Sequence, residues 1–338
     1  MQKFYRGAGR ALLIAVLSLS AQKAGAADDV SFTFDWIING THAGYILARD
    51  KGYYRDAGIN VTLSRGSGSG DTVKRVGSGQ STFGVADSSV VVAARANEDI
   101  PVRIVAMAYG KSPLGIIYLA QSGIKSPKDL VGRNIARTAS GSSVTMFPAF
   151  LSANGIDRAS IKETVADANA LLSLLLSKRV DAVLGQTVNI GRFKKLGEKQ
   201  GLTAVGMNFA DFGLEAYGNA IIVNPKTIKE SPDLVRRFVE ASMKGLAYSI
   251  DNPEEALAIL RKTAPEVDAE AALDELIEMR SIVLSDEARK SGVGYASEQR
   301  MAATINSVQG SLKLKRSLVV ADVFDSYFLP KPPIFSKK

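Results

Sequence analysis

From Val30 onward the chain alternates short strand-like runs with longer stretches of helical period, and glycines mark the joints. Residues 31–36 (SFTFDW) alternate as a half-buried strand. NGTHAG forms a glycine-containing loop, and YILARDKGYYRDAGI reads as a helix that stops at Gly58. NVTLS is a strand, GSGSGD a loop, DTVKRVGSG a helix and STFGVADSS a strand ending in small polar residues. The same order returns from Arg133. NIART is a strand, ASGSS a loop, VTMFPAFLSANGI a helix closed at Gly155, IKETVAD a strand, ANALLSLLLSKR a helix and VDAVLGQT a strand. Strands alternating with helices predict parallel sheets. Two such units predict an α/β protein of two lobes, each a mostly parallel sheet flanked by helices.

The apolar runs GIIYLA (115–120) and NAIIV (219–223) flank the second unit and read as strands crossing between the lobes. This makes the first lobe discontinuous, residues 28–121 plus 213–338, with the second lobe, 122–212, inserted between. The segment after Val223 is mostly helical. Ser231-Pro232-Asp233 and Asn252-Pro253-Glu254-Glu255 are helix starts, and Asp268 can cap the helix that follows it.

The first residues change the picture. Lys3, Arg6 and Arg10 precede an apolar run, 11–21, too short to span a bilayer, and Ala24-Gly25-Ala26 is a small-x-small cleavage signal. Residues 1–26 therefore read as a signal peptide, with an exported, periplasmic mature chain that does not span the membrane. With no cysteine at that junction, a lipid anchor is not expected. The leader holds four basic residues (Lys3, Arg6, Arg10, Lys23) and no acidic one, which leaves about +4 of the formal +8. The remaining basic residues are scattered, so nucleic acid is not the expected partner. The absence of cysteine excludes disulfides, thiolate chemistry and cysteine-held metals, and a single histidine, His42, excludes two-histidine metal motifs. No metal and no cofactor is expected.

In parallel sheets, ligands gather beyond the carboxyl ends of strands. There Trp36 can stack on a flat heterocycle or serve as a core aromatic. Asn39 can hydrogen-bond a ligand, and His42 can do so or satisfy local backbone. Ser67 and Gly68 lie in a loop that matches neither a P-loop nor a dinucleotide loop, because Asp71 stands where each pattern needs something else. Asp87 and Ser88 end the third strand, and Asp87 can accept from a ligand amine or cap the next helix. Ser140, Ser142 and Ser143 open a helix, an arrangement suited to an anion. Gln186 and Asn189 end the last strand of the second lobe. Glu215 and Tyr217 precede the return strand. Glu215 can pair with an amine or be a solvated hinge carboxylate, and Tyr217 offers a second stacking face.

DWIINGTHAGYILARDKGYYRDAGINV resembles the opening of solute-binding proteins of the sulfonate, nitrate and thiamine-pyrimidine group. GSGQSTFGVADSSVVVAARANEDIPVRIVA, SGIKSPKDLVGRNIA and KRVDAVLG are similar to that group's third strand and helix, entry to the second lobe and last helix–strand step. The resemblance covers nearly the whole mature chain. It implies a type II periplasmic-binding fold, a small-molecule ligand, and the permease and ATPase subunits of an ABC importer as partners. One branch of the group, the fungal thiamine-pyrimidine synthases, is enzymatic. It carries a cofactor lysine, a histidine four residues later and a cysteine-rich stretch. Aligned on GVADSSVVVAAR, Ala86 takes the lysine position and Val90 the histidine position, and LEAYGN falls where the cysteines would be. No catalytic residue is expected. Two ligand classes stay open: a nitrogen heterocycle such as a thiamine-precursor pyrimidine, favoured by Trp36, Glu215 and Tyr217, and an alkanesulfonate, taurine or nitrate-type anion, favoured by the serine-rich helix start. A ligand-sensing subunit is a further alternative.

Overall fold

The computed structural model describes residues 26–337, and the expected signal peptide lies outside these but for its last residue. In the first half, β1 (Asp28–Thr33) leads to α1 (Ala43–Asp50), α2 (Tyr53–Asp56), β2 (Ile59–Ser64), α3 (Ser69–Gly77), β3 (Phe83–Asp87), α4 (Ser88–Glu98) and β4 (Arg103–Met107). The second half runs β5 (Leu114–Leu119), β6 (Asn134–Arg137), α5 (Ser142–Ala153), β7 (Lys162–Val165), α6 (Ala168–Leu176), β8 (Ala182–Gln186), α7 (Ile190–Glu198) and β9 (Ala204–Asn208). The chain returns through β10 (Asn219–Val223). It ends in helices α8 (Pro225–Glu230), α9 (Pro232–Asp251), α10 (Pro253–Thr263), α11 (Ala269–Val283), α12 (Asp286–Ser291), α13 (Glu298–Ser311) and α14 (Val320–Val323).

The helix read over 45–58 breaks in two. Gly52 takes φ +80°, a left-handed conformation open to glycine, which ends α1 and restarts the chain as α2.

Two five-stranded sheets have matching orders, β2-β1-β3-β10-β4 and β7-β6-β8-β5-β9. In each, the first three strands run parallel, and one antiparallel strand has been exchanged from across the molecule: β10 between β3 and β4, β5 between β8 and β9. The expected border at 121/122 therefore falls too late. β5 belongs to the second sheet, because Gly115–Leu119 pairs residue by residue with β9. β3, β5 and β10 are buried at every position, as strands covered by helices on both faces must be. Along β5, Ile116 and Tyr118 face one apolar core and Ile117 and Leu119 the other.

The two connections between the halves pair with each other. Ala108 and Tyr109 N–H donate to the Asn219 carbonyl, Gly218 N–H to Tyr109, and Ser112 N–H to Ala216. An ion pair, Lys111–Asp211 at 2.8 Å, lies beside them. This paired double crossing joins the two sheets.

Candidate functional site

A cavity of about 170 Å³ lies between the two sheets, at the carboxyl ends of their parallel strands. One wall comes from the first lobe. β1 ends at Thr33, and Asp35 and Trp36 follow it into the cavity wall, with Asn39 and Thr41 on the next turn. Asp35 is buried. Its Oδ1 lies 3.0 Å from His42 Nε2, and its Oδ2 accepts from Asn219 Nδ2 at 2.8 Å. His42 Nδ1 accepts the Asn39 N–H, which leaves Nε2 to donate to the carboxylate. The imidazole also stacks on Phe34, centroids 4.5 Å apart. Asn39 Oδ1 accepts from the Thr41 N–H and hydroxyl, and so shapes the turn. Gly68 and Ser69, at the start of α3, complete this wall.

The opposite wall is mostly apolar. Ile117, Leu171, Val183, Leu184 and Phe193 line it, with Thr138, Ser142, Ser143, Gln186 and Asn189 at its polar margin. Of the described residues lining the cavity, Asp35 alone carries a charge.

The lobes touch across the cavity. Gly68 and Gly141 are the N-caps of α3 and α5 and have nearly the same backbone, φ +132° and +136°. A Cβ on Gly68 would meet Gly141 Cα at 3.7 Å and the Trp36 ring at 3.8 Å. Beside them the Ser142 hydroxyl donates to Ser69 Oγ at 2.9 Å, and Ser69 Oγ also accepts the Asp87 N–H. Ser143 donates to the Gly185 carbonyl. Both serine hydroxyls of the α5 start are thus spent within the protein.

Seven of the residues singled out in the sequence line this cavity: Trp36, Asn39, Gly68, Ser142, Ser143, Gln186 and Asn189. Seven do not. Ser67, Ser140 and Glu215 are exposed, and Glu215 lies 3.9 Å from Arg300. His42 is buried behind Asp35. Asp87 caps α4 by accepting the Ser89 N–H, and its other carboxyl oxygen has no partner. Burial pushes that carboxyl up to about 7, against the pull of the α4 N–H groups. Ser88 donates to the Tyr217 carbonyl and ties α4 to the second of the two crossings. Tyr217 points into the first lobe. Its hydroxyl donates to Glu287 and accepts the Ser297 N–H, Arg300 lies 4.7 Å over its ring, and burial raises its phenol. Asp35, Thr41, Leu171 and Phe193 also line the cavity, beyond the residues singled out in the sequence. Asp35 had a signal: it directly precedes Trp36 at the end of a strand.

The chain is similar to several known proteins. A formylaminopyrimidine-binding protein of Halalkalibacterium halodurans is 26% identical over 93% of this chain and 97% of its own. A riboflavin-binding protein of Chloroflexus aurantiacus is 26% identical over 89% and 86%. A 4-amino-5-hydroxymethyl-2-methylpyrimidine phosphate synthase of Legionella pneumophila is 26% identical over 70% and 74%. The periplasmic aliphatic sulphonate-binding protein of Escherichia coli superposes with a TM-score of 0.68 at 13% identity, covering 90% of this chain and 94% of that one, which demonstrates a shared fold. The family model described as NMT1/THI5 like matches residues 39–256, more than half of the sequence, and the chain belongs to that family.

Proposed function

We propose that this protein is the exported substrate-binding component of an ABC importer, and that it holds a nitrogen heterocycle with N–H donors, of the aminopyrimidine class, without transforming it. The observation that carries the reading is Asp35, a buried carboxylate and the sole charge among the described residues lining the cavity. A buried carboxylate accepts hydrogen bonds from an amino group or a protonated ring nitrogen and repels an anion. Hydrogen bonds to charged groups contribute about 1.5–3 kcal/mol, more than the 0.5–1.5 kcal/mol of an aromatic stack. Asp35 therefore dominates the choice of guest, and Trp36 refines it.

Binding without turnover is supported at the two positions where the synthase branch carries its cofactor lysine and histidine. Ala86 and Val90 are both apolar and buried here, and the lining residues include no lysine. The permease and ATPase partners are proposed from the kinship with periplasmic components of import systems, and from closure of the two lobes with the paired double crossing as their hinge.

A second reading, an anion, rests on the α3 and α5 starts that face each other across the cavity. Asp35 and the spent serine hydroxyls oppose it. Calorimetric titration with formylaminopyrimidine, riboflavin and taurine separates the readings. Tight binding of formylaminopyrimidine that collapses in Asp35→Asn supports the heterocycle. Taurine binding with no response to that substitution overturns it.

A further inference from the structure

The turn that carries Asn39 and Thr41 has no strand to hold it. It leans on α11, a helix more than 200 residues later in the chain that packs on Gly40–His42 on one side and on α7 of the other lobe on another. Gly40 lies so close to this helix that a Cβ would be 2.2 Å from the Ala272 carbonyl oxygen. The Gly40 N–H is therefore shut off from water and needs an acceptor within the protein. Glu275 supplies it: its Oε2 accepts that N–H at 2.7 Å.

Placing a carboxylate there is costly. Glu275 is 9% exposed, and burial pushes its carboxyl up to about 7. A neutral acceptor would satisfy one amide at lower desolvation cost. The neighbouring Asp274 sits against Gly191 of α7, where a Cβ would be 2.7 Å from its own Cβ, so the helix that grips the turn also abuts the second lobe.

We propose that Glu275 is a positioning residue for the ligand site, fixing Asn39 and Thr41 against the cavity by holding the Gly40 amide between them. The assignment rests on the cavity being the ligand site, but its first test needs no ligand. Amide hydrogen exchange is measured on the full chain with Glu275→Ala and Glu275→Gln, the latter keeping a carbonyl acceptor in place. In Glu275→Ala, exchange of peptides covering 39–43 rises about ten-fold while β3 and β8 stay unchanged. Glu275→Gln stays within about two-fold of the parent. Affinity for formylaminopyrimidine, read by calorimetry, falls about ten-fold in Glu275→Ala and is rescued in Glu275→Gln. If Glu275→Ala does not fold, Glu275→Leu carries the same comparison.

Equal behaviour of the acceptor-free and Gln variants, or exchange quickened along the whole chain, overturns the assignment and leaves Glu275 as ordinary packing. If the exchange pattern separates the variants but the parent does not bind formylaminopyrimidine, the hold on the turn stands and the ligand reading has failed.

Discussion

The two walls of the cavity are made of different matter. The first-lobe wall is a polar network, Asp35 with His42 and Asn219, Asn39 with Thr41, Ser69 with Asp87 and Ser142, and each Asp35 oxygen keeps a further lone pair for a guest. The second-lobe wall offers Ile117, Leu171, Val183, Leu184 and Phe193, with Thr138, Ser142, Ser143, Gln186 and Asn189 at its margin. Directional bonds fix the identity and orientation of a guest, because an unmet buried polar group costs about 1–3 kcal/mol. Apolar contact is proportional to area and discriminates little between guests of one size. On the proposed reading, the first lobe selects and the second lobe, apolar at its centre, covers.

The sharpest way to break that division is Asp35→Asn. The change keeps the shape, removes the charge, and should weaken formylaminopyrimidine binding by roughly 100-fold, the loss of one charged hydrogen bond and a mismatched network. Calorimetry checks it, and a loss below about three-fold would show that the first lobe does not select.

The covering wall answers to Phe193→Ala. Its effect should be about ten-fold and, unlike that of Asp35→Asn, equal for any two guests of similar size. Relative affinities for a pair of substituted pyrimidines measure this. A change in their ratio would mean that the second lobe also selects.

Trp36→Phe should cost about three-fold, the difference between two aromatic stacks, with the order of ligand preference unchanged.

The last prediction concerns pH and stability rather than binding. The Asp87 carboxyl beneath the polar wall is raised to about 7 from an ordinary 3.8. Its folded form thus holds a proton that the unfolded chain gives up. That contribution to stability is complete below about 3.8 and is lost as pH rises through about 7. Glu275, also raised to about 7, has the same sign. Melting temperatures between pH 5 and pH 8 should fall less steeply in Asp87→Asn than in the parent. Parallel slopes would show that Asp87 keeps no proton.

The order of strands and helices was legible because each half repeats the same periodicities, and the ends of its parallel strands mark where ligands gather. Trp36, Asn39, Gly68, Ser142 and Gln186 all lie on such ends. Phe193 and Leu171 were not legible, since an apolar residue that lines a cavity has the same spacing as one that fills a core. Tyr217 and His42 misled for the opposite reason. Their chemistry suits a ligand, but Glu287 and Asp35 claim them inside the fold, and in the case of Tyr217 that partner lies seventy residues further along the chain. The two crossing strands were legible as apolar runs, but the lobe border was misplaced because the sheet each one joins is set by pairing between distant segments, which local pattern does not carry.

That exchange has a consequence for the second sheet taken alone. Gly115 pairs with Asn208, so the stretch from Leu114 to Asn208 enters and leaves the sheet side by side, with all five of its strands inside one uninterrupted piece of chain. A segment whose two ends emerge as neighbours can be excised or transplanted into another host loop with little strain at the seams. The first sheet is divided by the insert, but β10 pairs antiparallel with β4, Ala220 beside Met107, so the ends left by excision are themselves neighbours. The molecule is thus a host that has taken in a guest module by its two adjacent ends.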